Sequence, residues 1–207
     1  MRVVIIDYGL GNIGSIHRAV SECCNGSVLI SHIPEEIESA DKLILPGVGA
    51  FADGMKNLHE KCLDKVIQYQ THHAHIPLLG ICLGMQLLAS RGYEGGNIPG
   101  LDIIPGKVQK LQPITSNDRI PHIGWNEVRY KKNNMLFHNI ADRSDFYFVH
   151  SYHFIPDNQQ DVIGVTPYCN SFVSALNHDS IWGVQFHPEK SSILGLTMLK
   201  NFLDNSG

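Results

Sequence analysis

The chain has 207 residues, a formal net charge of −4, 43% hydrophobic residues and 17% charged ones. That length suits a single domain with a substantial core, expected to run over residues 1–207. The acidic balance and the lack of any Lys/Arg run argue against a nucleic-acid surface, and no apolar stretch approaches the ~20 residues of a membrane span.

The first seven residues, Met1 to Asp7, read as a strand and not as a signal peptide, so a cytoplasmic location is expected. Four short apolar runs, Val3–Ile6, Val28–Ile30, Leu43–Leu45 and Ile76–Leu79, read as buried strands. Between them Ser15–Cys24 and Phe51–Gln70 read as helices. In the second of these, Met55, Leu58, Cys62, Leu63 and Val66 fall near helical spacing. Leu83–Ser90 reads as a further helix. Alternating strands and helices predict a parallel sheet with right-handed crossovers.

The later sequence changes character. Lys107–Leu111, Asn126–Tyr130, Phe146–His150, Val162–Thr166, Ser171–Asn177 and Ile181–Gln185 read as strands. Turns such as Asn133-Asn134 and Pro156-Asp157-Asn158 separate many of them. A helix over Ser191–Leu203 follows. The expected fold is α/β: a central sheet plus a largely antiparallel, strand-rich second half.

Five cysteines (Cys23, Cys24, Cys62, Cys82 and Cys169) contain no CxxC pair and do not form a disulfide framework in a chain this size. Twelve histidines include no HExxH or zinc-finger spacing, so no metal and no cofactor are expected. His72, His73 and His75 read as a solvated helix end.

Gly80-Ile81-Cys82-Leu83-Gly84 lies between a strand and a helix and has the form Gly-x-nucleophile-x-Gly. A nucleophile on a sharp turn has strained backbone angles, and side chains two positions to either side would clash. The turn also sets Cys82 at a helix N-terminus, where partial positive charge favours a thiolate. The Leu83 N–H becomes a candidate oxyanion donor. A buried cysteine between packing glycines is the competing explanation.

The thiol needs a base that can later act as an acid, which histidine does near neutrality. His187-Pro188-Glu189 ends an apolar strand. In extended backbone Glu189 would project to the same side as His187 and could fix its tautomer. Pro188 stiffens the segment. Alone, this tripeptide reads better as a His-Pro turn capped by a solvated glutamate.

Together, Gly80-Ile81-Cys82-Leu83-Gly84-Met85-Gln86 and Gly183-Val184-Gln185-Phe186-His187-Pro188-Glu189 resemble the class I (triad) glutamine amidotransferases. The resemblance covers essentially the whole chain. It implies a flavodoxin-like open sheet with helices on both faces and a smaller antiparallel sheet. It implies a Cys82-His187-Glu189 triad acting on glutamine through a γ-glutamyl thioester. By the same resemblance Gln86, Glu94, Ser151 and Tyr152 meet the substrate. The segment Pro46-Gly47-Val48-Gly49-Ala50-Phe51 resembles the oxyanion strand, with Gly47, Val48 and Gly49 beside Leu83.

Three further blocks, Asp7 to Ser15, Pro121 to Asn126 and Phe146 to Tyr152, resemble one branch of that family, the glutaminase subunits of imidazole glycerol phosphate synthases. This implies a heterodimer with a (β/α)₈-barrel cyclase that receives ammonia through a channel, with Asn12 and Trp125 at or near the interface. A paralogous subunit serving a sugar amidotransferase stays open, as does a free-standing γ-glutamyl hydrolase. From another class, a flavodoxin-like nucleotide-binding module must be weighed, because Gly9-x-Gly11-x-x-Gly14 matches a dinucleotide fingerprint. The fingerprint needs an acid closing the second strand, which here ends Leu29-Ile30-Ser31-His32. Asp7 would also repel a pyrophosphate. A tight loop near a partner surface explains these glycines better.

Overall fold

The computed structural model describes residues 1–116, 118–130 and 134–204. In chain order the elements are β1 (Arg2–Ile6), α1 (Ile13–Cys23), β2 (Ser27–Ser31), α2 (Pro34–Glu38), β3 (Lys42–Leu45), α3 (Phe51–Glu60), α4 (Leu63–His72), β4 (Leu78–Ile81) and α5 (Leu83–Leu87). There follow β5 (Ala89–Gly92), β6 (Ile98–Pro99), β7 (Ile104–Lys110), β8 (His122–Tyr130), β9 (Ser144–His150), β10 (Tyr152–Pro156), β11 (Val162–Thr166), β12 (Phe172–His178), β13 (Ile181–Val184) and α6 (Ser192–Asp204).

The large sheet runs β2-β1-β3-β4-β13-β12-β11-β8-β9. From β2 to β13 every neighbouring pair is parallel, and from β13 onward the pairs are antiparallel. A smaller sheet runs β10-β7-β5-β6. Its β10/β7 and β5/β6 pairs are antiparallel, and β5/β7 is parallel.

Parallel strands buried on both faces read as continuous apolar runs, and β1 follows that rule. Val3 and Ile5 point into one core, with Ile16 and Val20 of α1 and Met198, Leu199 and Phe202 of α6. Val4 and Ile6 point into the other, with Ile37 of α2, Leu58 of α3 and Leu63 and Ile67 of α4. The two-residue period of the strand thus serves two cores at once.

Two expected elements differ. The helix expected over Phe51–Gln70 is two helices, because Cys62 takes a left-handed conformation (φ 57°) that no helix continues through. The helix expected over Leu83–Ser90 stops at Leu87, and Ala89–Gly92 instead pairs with β6 and β7. Non-local pairing there overrides a locally helical pattern. The Asn133-Asn134 turn falls partly on Asn133, outside the described residues; Asn134 caps a 3₁₀ turn, its Oδ1 accepting from the Leu136 N–H at 2.9 Å. His72, His73 and His75 are exposed at the end of α4, with His73 stacked on Tyr69. No helix among the described residues is long and apolar enough to cross a membrane.

Both faces of β1 are equally loaded, so Ile5→Ala and Ile6→Ala should each lower the unfolding free energy by about 2–5 kcal/mol. Urea unfolding at neutral pH measures this; a loss confined to one of the two would mean the sheet is covered on one face only.

Candidate active site

Adjacent strands β3, β4 and β13 all point their carboxyl ends the same way, and a loop follows each. Ligands of open parallel sheets bind at such an edge. The three loops carry residues 46–50, Cys82, and residues 185–189.

Cys82 has φ 54° and ψ −110°, outside the regions open to side-chain-bearing residues at low cost. Its flanking glycines are sterically required. A Cβ on Gly80 would stand 2.8 Å from the Met85 backbone, and one on Gly84 would stand 1.7 Å from the Leu45 carbonyl oxygen. The cysteine N–H is fixed by the Val184 carbonyl at 2.8 Å. Helix α5 spans five residues, so its dipole adds little at the sulfur.

His187 Nδ1 lies 2.8 Å from Glu189 Oε1, and both side chains are almost wholly buried. The intervening backbone is a 3₁₀ turn over Pro188–Lys190, tighter than the extended link expected, yet it brings the same two groups together. His187 Nε2 is buried, meets no partner at ordinary hydrogen-bond geometry, and has Cys82 as its neighbour. Burial pushes this imidazole toward neutrality. The proximity of Cys82, the Glu189 hydrogen bond and the charges of both groups outweigh burial and raise its pKa to about 10.

A cavity of about 400 Å³ opens over the sulfur. Val48, Gly49, Cys82, Leu83, Gln86 and Glu94 line it on one side, and Pro121 and Val149 to Tyr152 on the other. Glu94 Oε2 accepts from the Phe51 N–H at 2.9 Å, which anchors it at the start of α3. Burial raises the Glu94 pKa, opposed by that hydrogen bond. Gly49 takes φ +112°, and a Cβ on Gly47 would fall 2.0 Å from the buried Tyr8 hydroxyl. The Leu83 N–H donates to the Gly47 carbonyl at 3.3 Å. Thus Cys82, Val48, Gly49, Leu83, Gln86, Glu94, Ser151 and Tyr152 of the expected site residues line one cavity, while Gly47 lies beside Leu83 and His187 and Glu189 lie behind the sulfur. Asn12 and Trp125 lie elsewhere, both exposed. Among the described residues no three His, Cys, Asp or Glu side chains are gathered to hold a metal.

The profile of the family described as "Glutamine amidotransferase class-I" matches residues 4–206. This chain belongs to that family. It is 46% identical over 200 residues to the imidazole glycerol phosphate synthase subunit HisH of Moorella thermoacetica, covering 97% of this chain and 93% of the relative. The subunit of that name from Chlorobaculum tepidum is 45% identical, over 98% of this chain and 99% of the relative. Among solved structures, one described as a glutamine amidotransferase superposes with a TM-score of 0.75 at 15% identity, covering 97% of each chain. A chain of PurLQS from Thermotoga maritima gives 0.71 at 16% identity, covering 98% of this chain and 97% of that one. At those identities the superpositions show the fold.

In this amidotransferase three residues at or beside the cavity escaped sequence reasoning. Gln185 is fully buried, and its Nε2 lies 3.6 Å from the Cys82 sulfur. Its signal was a glutamine inside the apolar run Val184–Phe186. His122 and His150 are buried and 3.1 Å apart, 28 residues distant in sequence but opposite one another in the β8/β9 register. Burial lowers His122 to about 4; burial, with further charge effects, lowers His150 to about 3.

Folded-state values below the ordinary 6.5 mean that the unfolded chain binds more protons in the interval between. These histidines therefore stabilise the fold fully above pH 6.5, and that contribution is lost as pH falls through about 4. His122→Gln should make stability less steeply dependent on pH between about 6.5 and about 4.5. Urea midpoints across that interval test this; an unchanged slope would show that the pair is not the titrating element.

Proposed function

We propose that this chain is the glutaminase subunit of an imidazole glycerol phosphate synthase, one amidotransferase domain over residues 1–207 that releases ammonia for a (β/α)₈-barrel cyclase. The observation that carries the chemistry is a cysteine on a strained elbow at the floor of a cavity, with a buried His187–Glu189 pair behind it. The relatives' names carry the pathway.

In this reading the Cys82 thiolate attacks the carboxamide carbon of glutamine. His187, held protonated by its surroundings, gives its proton to the departing nitrogen, and ammonia leaves a γ-glutamyl thioester. Water then attacks the thioester as His187 takes a proton back, and glutamate departs. Glu189 holds the imidazole through Nδ1. Glu94, with one oxygen on the Phe51 N–H, offers the other to the substrate α-ammonium, and Ser151 and Tyr152 approach the same groups through their backbone.

The oxyanion is received by Leu83 and the Gly47–Val48–Gly49 segment. Here the Leu83 N–H is occupied by the chain's own Gly47 carbonyl. Turning the Gly47–Val48 peptide frees that donor and presents a second. A partner that favours the turned state activates the site by population shift, so glutamine is not wasted without an acceptor. Trp125 and Asn12 offer exposed groups for that partner, and ammonia passing through it would yield imidazole glycerol phosphate and AICAR.

Cys82→Ala should abolish glutamine-dependent synthesis in the assembled enzyme, by about 10⁴-fold or more, while added ammonium salt still supports the cyclase. Survival of glutamine-dependent turnover would refute the mechanism. The isolated chain should hydrolyse glutamine at least ~100-fold more slowly than the complex, the scale of one missing oxyanion donor. Steady-state glutamate release measures both.

A further inference from the structure

A chain of hydrogen bonds runs from strand β8 to the Cys82 sulfur, and as far as the Tyr152 carbonyl each donor in it is determined by the one before; that carbonyl, held by His150, then accepts from Gln86 as well. The Glu127 N–H donates to Asn126 Oδ1 at 2.9 Å, which leaves the Asn126 Nδ2 as the donor 3.2 Å from His122 Nε2. His122 Nε2 therefore accepts, and its Nδ1–H donates to His150 Nε2 at 3.1 Å. His150 Nε2 accepts in turn, so its Nδ1–H donates to the Tyr152 carbonyl at 2.8 Å. Both imidazoles are neutral, and both carry the proton on Nδ1. A second proton on either ring would set two donors face to face.

The Tyr152 carbonyl also accepts from Gln86 Nε2 at 2.9 Å. The other Gln86 N–H donates to Gln185 Oε1 at 2.9 Å, and Gln185 Nε2 reaches the Cys82 sulfur at 3.6 Å. Both N–H groups of Gln86 are thereby used, and its carbonyl oxygen is left for the cavity. The amide could otherwise turn over and offer nitrogen there instead.

We propose that Gln185 and the neutral pair His122–His150 are positioning residues that fix the Gln86 amide with its oxygen toward the substrate. That oxygen accepts a hydrogen bond from an N–H donor of the substrate. Gln185 additionally gives the sulfur a fixed N–H neighbour. The pair is held rigidly: His122 stacks on Tyr168 at 4.1 Å between centroids, and His150 meets Phe172 edge-on at 4.7 Å. Strand alternation puts His122 and Asn126 on the inner side of β8 while Ile123 and Trp125 stay 60% and 51% exposed. The strand that faces outward with Trp125 thus also anchors the substrate cradle. This proposal rests on the glutaminase reading above.

Glutamate release by the assembled enzyme tests it through the split between KM and kcat. His122→Phe keeps the ring stacking and loses both hydrogen bonds; KM for glutamine should rise on the order of tenfold, the scale of a lost hydrogen bond, with a smaller change in kcat. His122→Gln keeps an acceptor for Asn126 and a donor for His150, and should restore KM toward the wild-type value. Gln185→Leu should raise KM similarly, and it keeps the test open should His122→Phe fail to fold. Ammonium-dependent turnover should match wild type in all three. Unchanged KM in Gln185→Leu, or a His122→Gln variant as impaired as His122→Phe, would overturn the proposal. Nitrogen-15 histidine spectra of the unmodified chain give a second reading independent of activity: two Nδ1–H imidazoles are expected, and Nε2–H forms at these positions would contradict it. Loss of Cys82→Ala activity with unchanged KM in these variants would leave the glutaminase reading standing and remove only this one.

Discussion

The backbone of Cys82 is the constraint on which the site depends. Its φ of 54° and ψ of −110° are held only because the strand before it and the helix after it are clamped. Gly84 presses its Cα toward the Leu45 carbonyl at a distance no side chain tolerates, and Gly80 does the same against Met85. The clamp leaves Cys82, itself 5% exposed, at the carboxyl edge of the sheet, where it lines the cavity. It also brings α5 against the end of β3, so the Leu83 N–H and the Gly47 carbonyl are neighbours. The sharp turn that sets Cys82 on the cavity therefore also builds the place where the proposed mechanism receives negative charge.

The topology supplies the rest. Because β3, β4 and β13 are consecutive in the sheet and parallel, three loops distant in sequence end at one edge. The strand β13 enters beside β4 after the long antiparallel excursion, and it delivers Gln185, His187 and Glu189 behind the sulfur. The excursion itself forms the opposite wall, where the β9–β10 turn carries Val149 to Tyr152 over the cavity. Desolvation lowers both His187 and His122, and their neighbours decide where each ends. His187 has anionic partners and is raised to about 10; His122 has none and is lowered to about 4. Two buried histidines thus end with opposite shifts, one raised by its anionic neighbours and one lowered without them.

What was legible in the sequence was local. The elbow shows itself in five contiguous residues, the buried His187–Glu189 pair in three, and the two-faced strands in runs such as Val3–Ile6. What was not legible depends on pairing across the chain. Ala89 to Gly92 continues an apparently helical pattern, and only the edge of β7 turns it into strand. Lys61-Cys62 carries no glycine or proline to announce the left-handed break between α3 and α4. His122 and His150 each look like an isolated histidine until antiparallel register sets them opposite one another. Gln185 is read as part of a strand, because its role exists only when Gln86 and Cys82 stand beside it.

The central claim is that Cys82 forms a covalent bond to the substrate acyl group with His187 managing the proton. Rapid quenching of the assembled enzyme during turnover with glutamine, followed by mass spectrometry of the peptide containing Cys82, reads this directly. The account predicts a γ-glutamyl adduct on that cysteine, and its accumulation when His187 is replaced by a residue that cannot activate water. Glutamate formation at full rate with no adduct on Cys82 at any quench time would contradict it.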